Sequence, residues 1–236
     1  MSTFKDKIND WYEISNKGGH SEKLNVDKNY SRHFIKPCSM ISIVGSTGSG
    51  KSTALLEFLN RKNNAFYEII LFTGSTTDEP LYNMLKSKID GIQLIDNVDE
   101  LPELTDFNDT NKNQEKLAIF DDIINLPKKE LVKIQKWFNS ARKYGFTVIC
   151  MVQNYFDEPI QMRRNTMYWL LFKLNDMSSI SNILKKHNTN GDNIETVKKL
   201  YFEATREPKN FFMIDLTSND KLRYRHNFID FMPITK

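Results

Sequence analysis

Gly45-Ser46-Thr47-Gly48-Ser49-Gly50-Lys51-Ser52-Thr53 is the stretch that decides the fold. Ser39-Met40-Ile41-Ser42-Ile43-Val44 precedes it, an apolar run of strand type. Ala54-Leu55-Leu56-Glu57-Phe58-Leu59 follows, with Ala54, Leu55, Phe58 and Leu59 on one side of a helix. Strand, glycine-rich turn and helix form the context that a G-x-x-x-x-G-K-[ST] phosphate loop requires. Glycine lets such a turn take positive φ and close its amides around an anion with no Cβ in the way. The amides and the positive helix N-terminus then bind the β-phosphate. Lys51 is expected to reach the β- and γ-phosphates, and the Ser52 hydroxyl to ligate Mg²⁺. The alternative is a Gly/Ser-rich turn with no ligand.

A second landmark lies about 70 residues on. Leu117-Ala118-Ile119-Phe120 runs into Asp121-Asp122. A buried parallel strand with acids at its C-terminal end is the Walker B pattern, and nucleotides bind at that end of open α/β sheets. Asp121 is expected to hold the Mg²⁺, directly or through water. Asp122 is expected to orient and deprotonate the attacking water. Phe146-Thr147-Val148-Ile149-Cys150-Met151-Val152 is a continuous apolar strand ending at Gln153-Asn154. The Gln153 amide is placed either beside the γ-phosphate, bonding the attacking water, or as a plain polar strand cap.

Elements alternate along the rest of the chain. Phe66–Phe72, Gly91–Ile95 and Thr166–Leu174 have strand character. Residues 79–90, Pro127–Tyr144, 177–187 and 192–205 have helix character. Pro127 suits a first turn and Gly145 a C-terminal cap. Residues 97–114, rich in Asn and Asp, are expected to be the most mobile loop. Residues 210–216 and 222–228 are expected to close the chain as a hairpin around Ser218-Asn219-Asp220. This order predicts an α/β fold: a mostly parallel central sheet flanked by helices, with antiparallel C-terminal edge strands. Residues 1–35 are expected to be a lead-in, with Phe4, Ile8, Trp11 and Tyr12 on a short amphipathic helix. Residues 36–236 are expected to form the ATPase domain, with a helical pair and hairpin over about 176–236.

Composition narrows the classes. With 236 residues, 39% hydrophobic and 12% aromatic, the chain can bury a large core. Its net charge of +3 does not announce a nucleic-acid binder. Cys38 and Cys150 both adjoin apolar runs, so packed, reduced thiols in a reducing compartment are expected. His20, His33, His187 and His226 are scattered and make no metal-ligand spacing. There is no apolar stretch of transmembrane length and no signal-like core at the start, so no membrane and a soluble, intracellular site of action are expected.

Four blocks in order resemble the FtsK–HerA superfamily of DNA-pumping ATPases, and more closely the poxvirus-type genome-packaging ATPases of large DNA viruses and virophages. They are Gly45–Thr53, Leu117–Asp122, Ser140–Gln153 and Met162-Arg163-Arg164-Asn165. Phe211–Asp215 and Arg223-Tyr224-Arg225 resemble the family's tail, and the likeness spans roughly residues 33 to 230. The resemblance implies a P-loop NTPase of the ASCE division that uses ATP and Mg²⁺. It also implies a homo-oligomeric ring, a pentamer or hexamer, moving double-stranded DNA without sequence preference into a capsid. The site of action so implied is the host cytoplasm or viral factory, or the virion itself. Arg142 at the end of a helix, Gly145 and the sensor Gln153 fit the family place by place. Arg142 is the first candidate for an arginine finger acting across a subunit interface, followed by Arg163 and Arg164; each is otherwise a surface salt-bridge residue. Many motor ATPases carry Glu where this chain has Asp122, a side chain one methylene shorter, which implies a water-mediated contact or slower turnover. With no nuclease domain in this sequence, DNA-end processing and docking on a capsid or vertex protein would fall to partners.

DNA contact is the weaker expectation. Arg61-Lys62, Lys128-Lys129, Arg142-Lys143, Lys185-Lys186, Lys198-Lys199, Arg223 and Arg225 are the basic stretches, and solvated helix faces are their ordinary role. A cellular or plasmid DNA pump, a nucleotide-dependent switch and a small-molecule kinase are the competing readings. The acid pair and Gln153 speak against a switch. No lid or acceptor pocket suggests a kinase.

Overall fold

The computed structural model describes residues 27–63, 65–78, 80–89, 91–107, 114–218 and 222–234. The helix expected around Phe4, Ile8, Trp11 and Tyr12 lies outside them, as do Asn219 and Asp220 of the hairpin turn. β1 (Met40–Val44) leads through the glycine turn into α1 (Lys51–Lys62). β2 (Ile69–Thr73), α2 (Pro80–Lys88) and β3 (Gln93–Ile95) follow. Next come β4 (Lys116–Asp121), α3 (Lys128–Ser140) and β5 (Phe146–Val152). The remainder is α4 (Ile160–Asn165), β6 (Tyr168–Leu171), α5 (Met177–His187), α6 (Ile194–Ala204), β7 (Phe212–Asp215), β8 (Tyr224–His226) and β9 (Asp230–Phe231).

These strands form one nine-stranded sheet in the order β3-β2-β4-β5-β1-β6-β7-β8-β9. Every pairing from β3 across to β6 is parallel, and those from β6 to β9 are antiparallel. The expected architecture is therefore the observed one. β5 lies between β1 and β4. The phosphate loop, Gln153 and the acid pair thus emerge from three neighbouring strands at one edge of the sheet.

The inner parallel strands β1, β2, β4 and β5 are buried on both faces, which is why their sequences run largely apolar without alternation. On β1, Met40 and Val44 pack into one core cluster while Ile41 and Ile43 pack into the other. The first cluster takes Ile134, Trp137 and Phe138 of α3 with Ile180, Ile183 and Val197 of the C-terminal helices. The second takes Ala54, Leu55 and Phe58 of α1 with Tyr82 and Leu85 of α2. Of the face expected on α1, Ala54, Leu55 and Phe58 are buried and Leu59 is half-buried. Cys38 and Cys150 are buried and unpaired.

Several boundaries differ from the sequence reading. Pro127 is the N-cap of α3 rather than part of its first turn, and that helix tightens into a 3-10 turn over Ala141–Tyr144 before Gly145. The strand expected over 166–174 is cut to Tyr168–Leu171. The described part of the Asn/Asp-rich stretch is not loose: Val98, Leu101, Leu104 and Phe107 are buried against the core. Several of the basic residues considered for DNA are internal. Lys62 is fully buried, with Nζ 2.6 Å from Glu115 and 3.2 Å from Asp27. Arg225 is buried and paired with Asp215, and Arg223 donates to Asn190 at 2.9 Å. These three cations are committed to the fold, because a buried charge needs a fixed counter-charge or acceptor.

One buried acid has a measurable consequence. Glu158, ahead of α4, accepts from Ser42 at 2.8 Å and is wholly enclosed. Burial pushes its carboxyl up from the ordinary 4.5 to about 8, against the pull of Ser42 and Arg163. The fold favours the protonated acid, so its contribution is full below the unfolded value and declines as pH rises towards the folded one. Stability should therefore fall between about pH 5 and pH 8, and Glu158→Gln should flatten that fall. Urea midpoints of both proteins across this range check it; parallel slopes would refute it.

Candidate active site

Lys51 opens α1 behind Gly50, which holds φ 113 as the helix N-cap. A side chain at Gly50 would be strained by that φ and would bring a Cβ within 3.0 Å of the Lys209 backbone. The Lys51 ammonium folds back over its own loop, donating to the Gly45 carbonyl at 2.7 Å and the Ser46 carbonyl at 3.2 Å. Ser52 and Thr53 are exposed at the same helix end. The turn thus presents amides, a cation and a hydroxyl to one space, as an anion site needs.

β4 delivers Asp121 to the same edge, in register with Thr73 of β2 and Met151 of β5. Asp122 leaves the strand in the left-handed region with φ 50, a conformation Asp tolerates better than most residues. Burial raises the Asp121 carboxyl above its ordinary range, and Tyr82 and Lys51 pull it back. Burial lowers Lys51, and Asp121 and Asp122 oppose that shift. Each group is partly stripped of water and partly compensated by the other. Thr47, Lys51, Ser52, Asp121, Asp122 and Gln153 line one cleft of about 190 Å³. The residues expected from three separate motifs therefore face one another.

Tyr82 and Ser75 also line this cleft, and neither is expected from the sequence. The Tyr82 hydroxyl donates to Asp121 Oδ2 at 2.8 Å. Nothing in the local pattern around residue 82 signals this, because the contact spans 39 residues. On the other flank of the loop a second cleft is bounded by Ser46–Ser49, Lys173, Asn175 and the segment Thr205–Asn210.

The arginines lie elsewhere. Arg142 is exposed and precedes β5, whereas Gln153 follows it. Seven residues of strand span about 20 Å, so Arg142 sits at the opposite edge of the sheet from its own nucleotide cleft. Arg163 packs its guanidinium over Tyr155 at 4.7 Å and Phe156 at 5.5 Å. Arg164 is exposed, and its neighbour Asn165 donates to Asn139 at 2.7 Å, near the end of α3. None of the three lines the cleft.

The donor set suits a hard cation. A serine hydroxyl and a carboxylate are oxygen ligands of the kind Mg²⁺ takes, with phosphate oxygens completing the shell. No group of three or more His, Cys, Asp or Glu among the described residues could cage a metal by itself.

Fold and site together define an ATPase of the P-loop class. The chain belongs to the poxvirus A32 protein family, whose model matches residues 27–223. Among solved structures, the genome-packaging NTPase B204 of Sulfolobus turreted icosahedral virus 2, in complex with ATP-gammaS, has a TM-score of 0.56. It is 13% identical over 84% of this chain and 98% of that one. The DNA-packaging ATPase B204 of Sulfolobus turreted icosahedral virus has a TM-score of 0.55 and 16% identity, over 85% and 100% of the two chains. EssC (ATPases 2 and 3) of Geobacillus thermodenitrificans has a TM-score of 0.50 and 14% identity, over 75% of this chain and 38% of that one. Identities this low speak to the fold. A search of curated protein sequences found no match. Among the described residues, no helix is long and apolar enough to cross a membrane.

Lys51→Ala should weaken binding of a fluorescent ATP analogue about 10- to 100-fold, the worth of a charge-assisted bond. Its melting temperature should hold, since Lys51 bonds only its own loop carbonyls among the contacts seen here. Unchanged affinity would remove Lys51 from the site.

Proposed function

We propose that this chain is an ATP-driven motor that packages double-stranded DNA into a viral capsid, working as a ring of identical subunits. The observation that carries the reading is the convergence of Lys51, Ser52, Asp121, Asp122 and Gln153 on one cleft, in a member of the poxvirus A32 family. The B204 proteins with this fold are described as genome- or DNA-packaging enzymes. In this reading residues 36–236 form the ATPase domain and 1–35 a lead-in. The work takes place in the host cytoplasm or viral factory.

The chain's own groups divide the chemistry. The amides of Gly45–Thr53 and Lys51 bind the β- and γ-phosphate oxygens. Ser52 and Asp121 hold the Mg²⁺, which offsets phosphate charge. Gln153 orients the attacking water, and Asp122 takes its proton, a role worth about 10²–10⁴ in rate. Base and ribose leave the loop on its other flank, towards Lys173 and Thr205–Asn210. The cation needed as charge develops on the γ-phosphate then comes from the neighbouring subunit, and such a finger is worth about 10³–10⁵ in rate. Arg142 fits this role because its position at the far edge of the sheet suits the next subunit's cleft and not its own. Arg164, also exposed, is the second choice, and Arg163 is tied to Tyr155 and Phe156. Exposed Ile124 at the cleft rim, with exposed Phe156 and Ile160 in the segment after Gln153, gives a second copy apolar surface to cover. Lys128, Lys129, Lys143, Lys185, Lys186 and Lys199 remain exposed for weak phosphate contacts that let a duplex slide.

A nucleotide switch is the competing reading. ATPase rate with and without long duplex DNA, measured beside the mass of the complex in solution, separates the two. Stimulation with a large particle is expected; a monomer indifferent to DNA would end the motor reading. Asp122→Asn should bind ATP normally but turn over about 10²–10⁴-fold slower. Arg142→Ala should be inactive alone and regain part of its activity when mixed with Asp122→Asn subunits. Absence of rescue would remove Arg142 as a finger in trans.

A further inference from the structure

We propose that Tyr82 is a positioning residue for Asp121: the segment from the end of β2 to the first turn of α2 grips both site acids. The proposal rests on the reading of Asp121 as the metal-facing acid and adds what fixes its orientation. Tyr82 is 1% exposed, and its hydroxyl lies 2.8 Å from Asp121 Oδ2 and 3.3 Å from Thr73 Oγ1. Thr73 Oγ1 is in turn 3.0 Å from Ser75 Oγ and accepts from the Ser75 amide at 3.2 Å. Ser75 itself lines the nucleotide cleft. A chain of hydroxyls thus runs from the cleft wall to the back of the acid.

The main chain of the same segment completes the grip. Gly74 donates its amide to the Asp121 carbonyl at 2.9 Å. A Cβ on Gly74 would stand 2.2 Å from the Asp122 carbonyl oxygen, too close for any side chain. Asp122 can hold its left-handed backbone only because Gly74 leaves that space. One short segment therefore sets the side chain of the first acid and the backbone of the second.

A ring buried only for packing needs no hydroxyl, and Phe would serve. Here the hydroxyl is spent on a carboxylate that must present one face to a cation. A carboxylate free to rotate presents either face and loses ligand strength; partners behind metal ligands are worth about 10- to 100-fold in metal affinity. Tyr82 is outside the reacting groups and acts through Asp121.

The test is the Mg²⁺ dependence of binding of a fluorescent ATP analogue to the full chain, with melting temperature and metal-free affinity measured alongside. Tyr82→Phe should raise the half-saturating Mg²⁺ concentration about tenfold while metal-free affinity and melting stay at wild type. No shift in a folded Tyr82→Phe protein, or an equal loss of metal-free binding, would overturn the proposal. If Tyr82→Phe does not fold, 3-fluorotyrosine placed at position 82 keeps the ring and strengthens the donor. It should lower the Mg²⁺ requirement, and no change would likewise overturn the proposal. Asp121→Asn serves as the control. Should it keep the wild-type Mg²⁺ dependence, the assignment of Asp121 as metal acid fails. Should it lose that dependence while Tyr82→Phe does not shift it, only the Tyr82 proposal fails.

Discussion

Asp121 is a carboxyl held at the end of a strand whose four preceding residues, Leu117–Phe120, are all hydrocarbon. Burial raises its pKa above the ordinary value, and Tyr82 and Lys51 oppose that shift only in part. Lys51 is itself short of water and depends on the acids in return. This mutual compensation is the constraint on which the site depends. Each group's burial is partly offset by the other's opposite charge, and both remain shifted towards their neutral forms.

The sheet order turns that pair into a site. With β5 between β1 and β4, the glycine turn, the amide of Gln153 and the acids project from three adjacent parallel strands. Parallel strands put all their C-terminal ends on one edge, so the helix N-terminus of α1 and the carboxylates meet without any long loop. Arg142 stands exposed at the opposite edge. One sheet thus separates the Arg142 guanidinium from the cleft of its own subunit by the length of a strand.

Burial also sorts the basic residues. The stretches at 61–62, 223 and 225 look like those at 128–129, 142–143 or 185–186 in the sequence. Lys62, Arg223 and Arg225 turn inward to Glu115, Asn190 and Asp215, whereas the latter groups stay exposed. Arg225 also donates to the Phe34 carbonyl at 3.2 Å. It thereby ties the start of the described chain to the C-terminal strands, a structural task for a residue that charge alone would have assigned to a polyanion.

The sequence by itself determined the parts whose chemistry is local. The strand, glycine turn and helix around Gly45–Thr53 could be read outright, because their residues are contiguous. Asp121-Asp122 and Gln153 could be located because each follows an unbroken apolar run that stops at a polar group. Strands and helices alternated with enough regularity to give the mixed sheet and its antiparallel edge. Tertiary structure alone decided what depends on residues distant in the chain. Tyr82 finds Asp121, Gly74 clears space for Asp122, Lys62 turns inward and Arg142 falls on the far edge. Each follows from strand order and register, which place side chains across the sheet and carry no mark in the residues beside them.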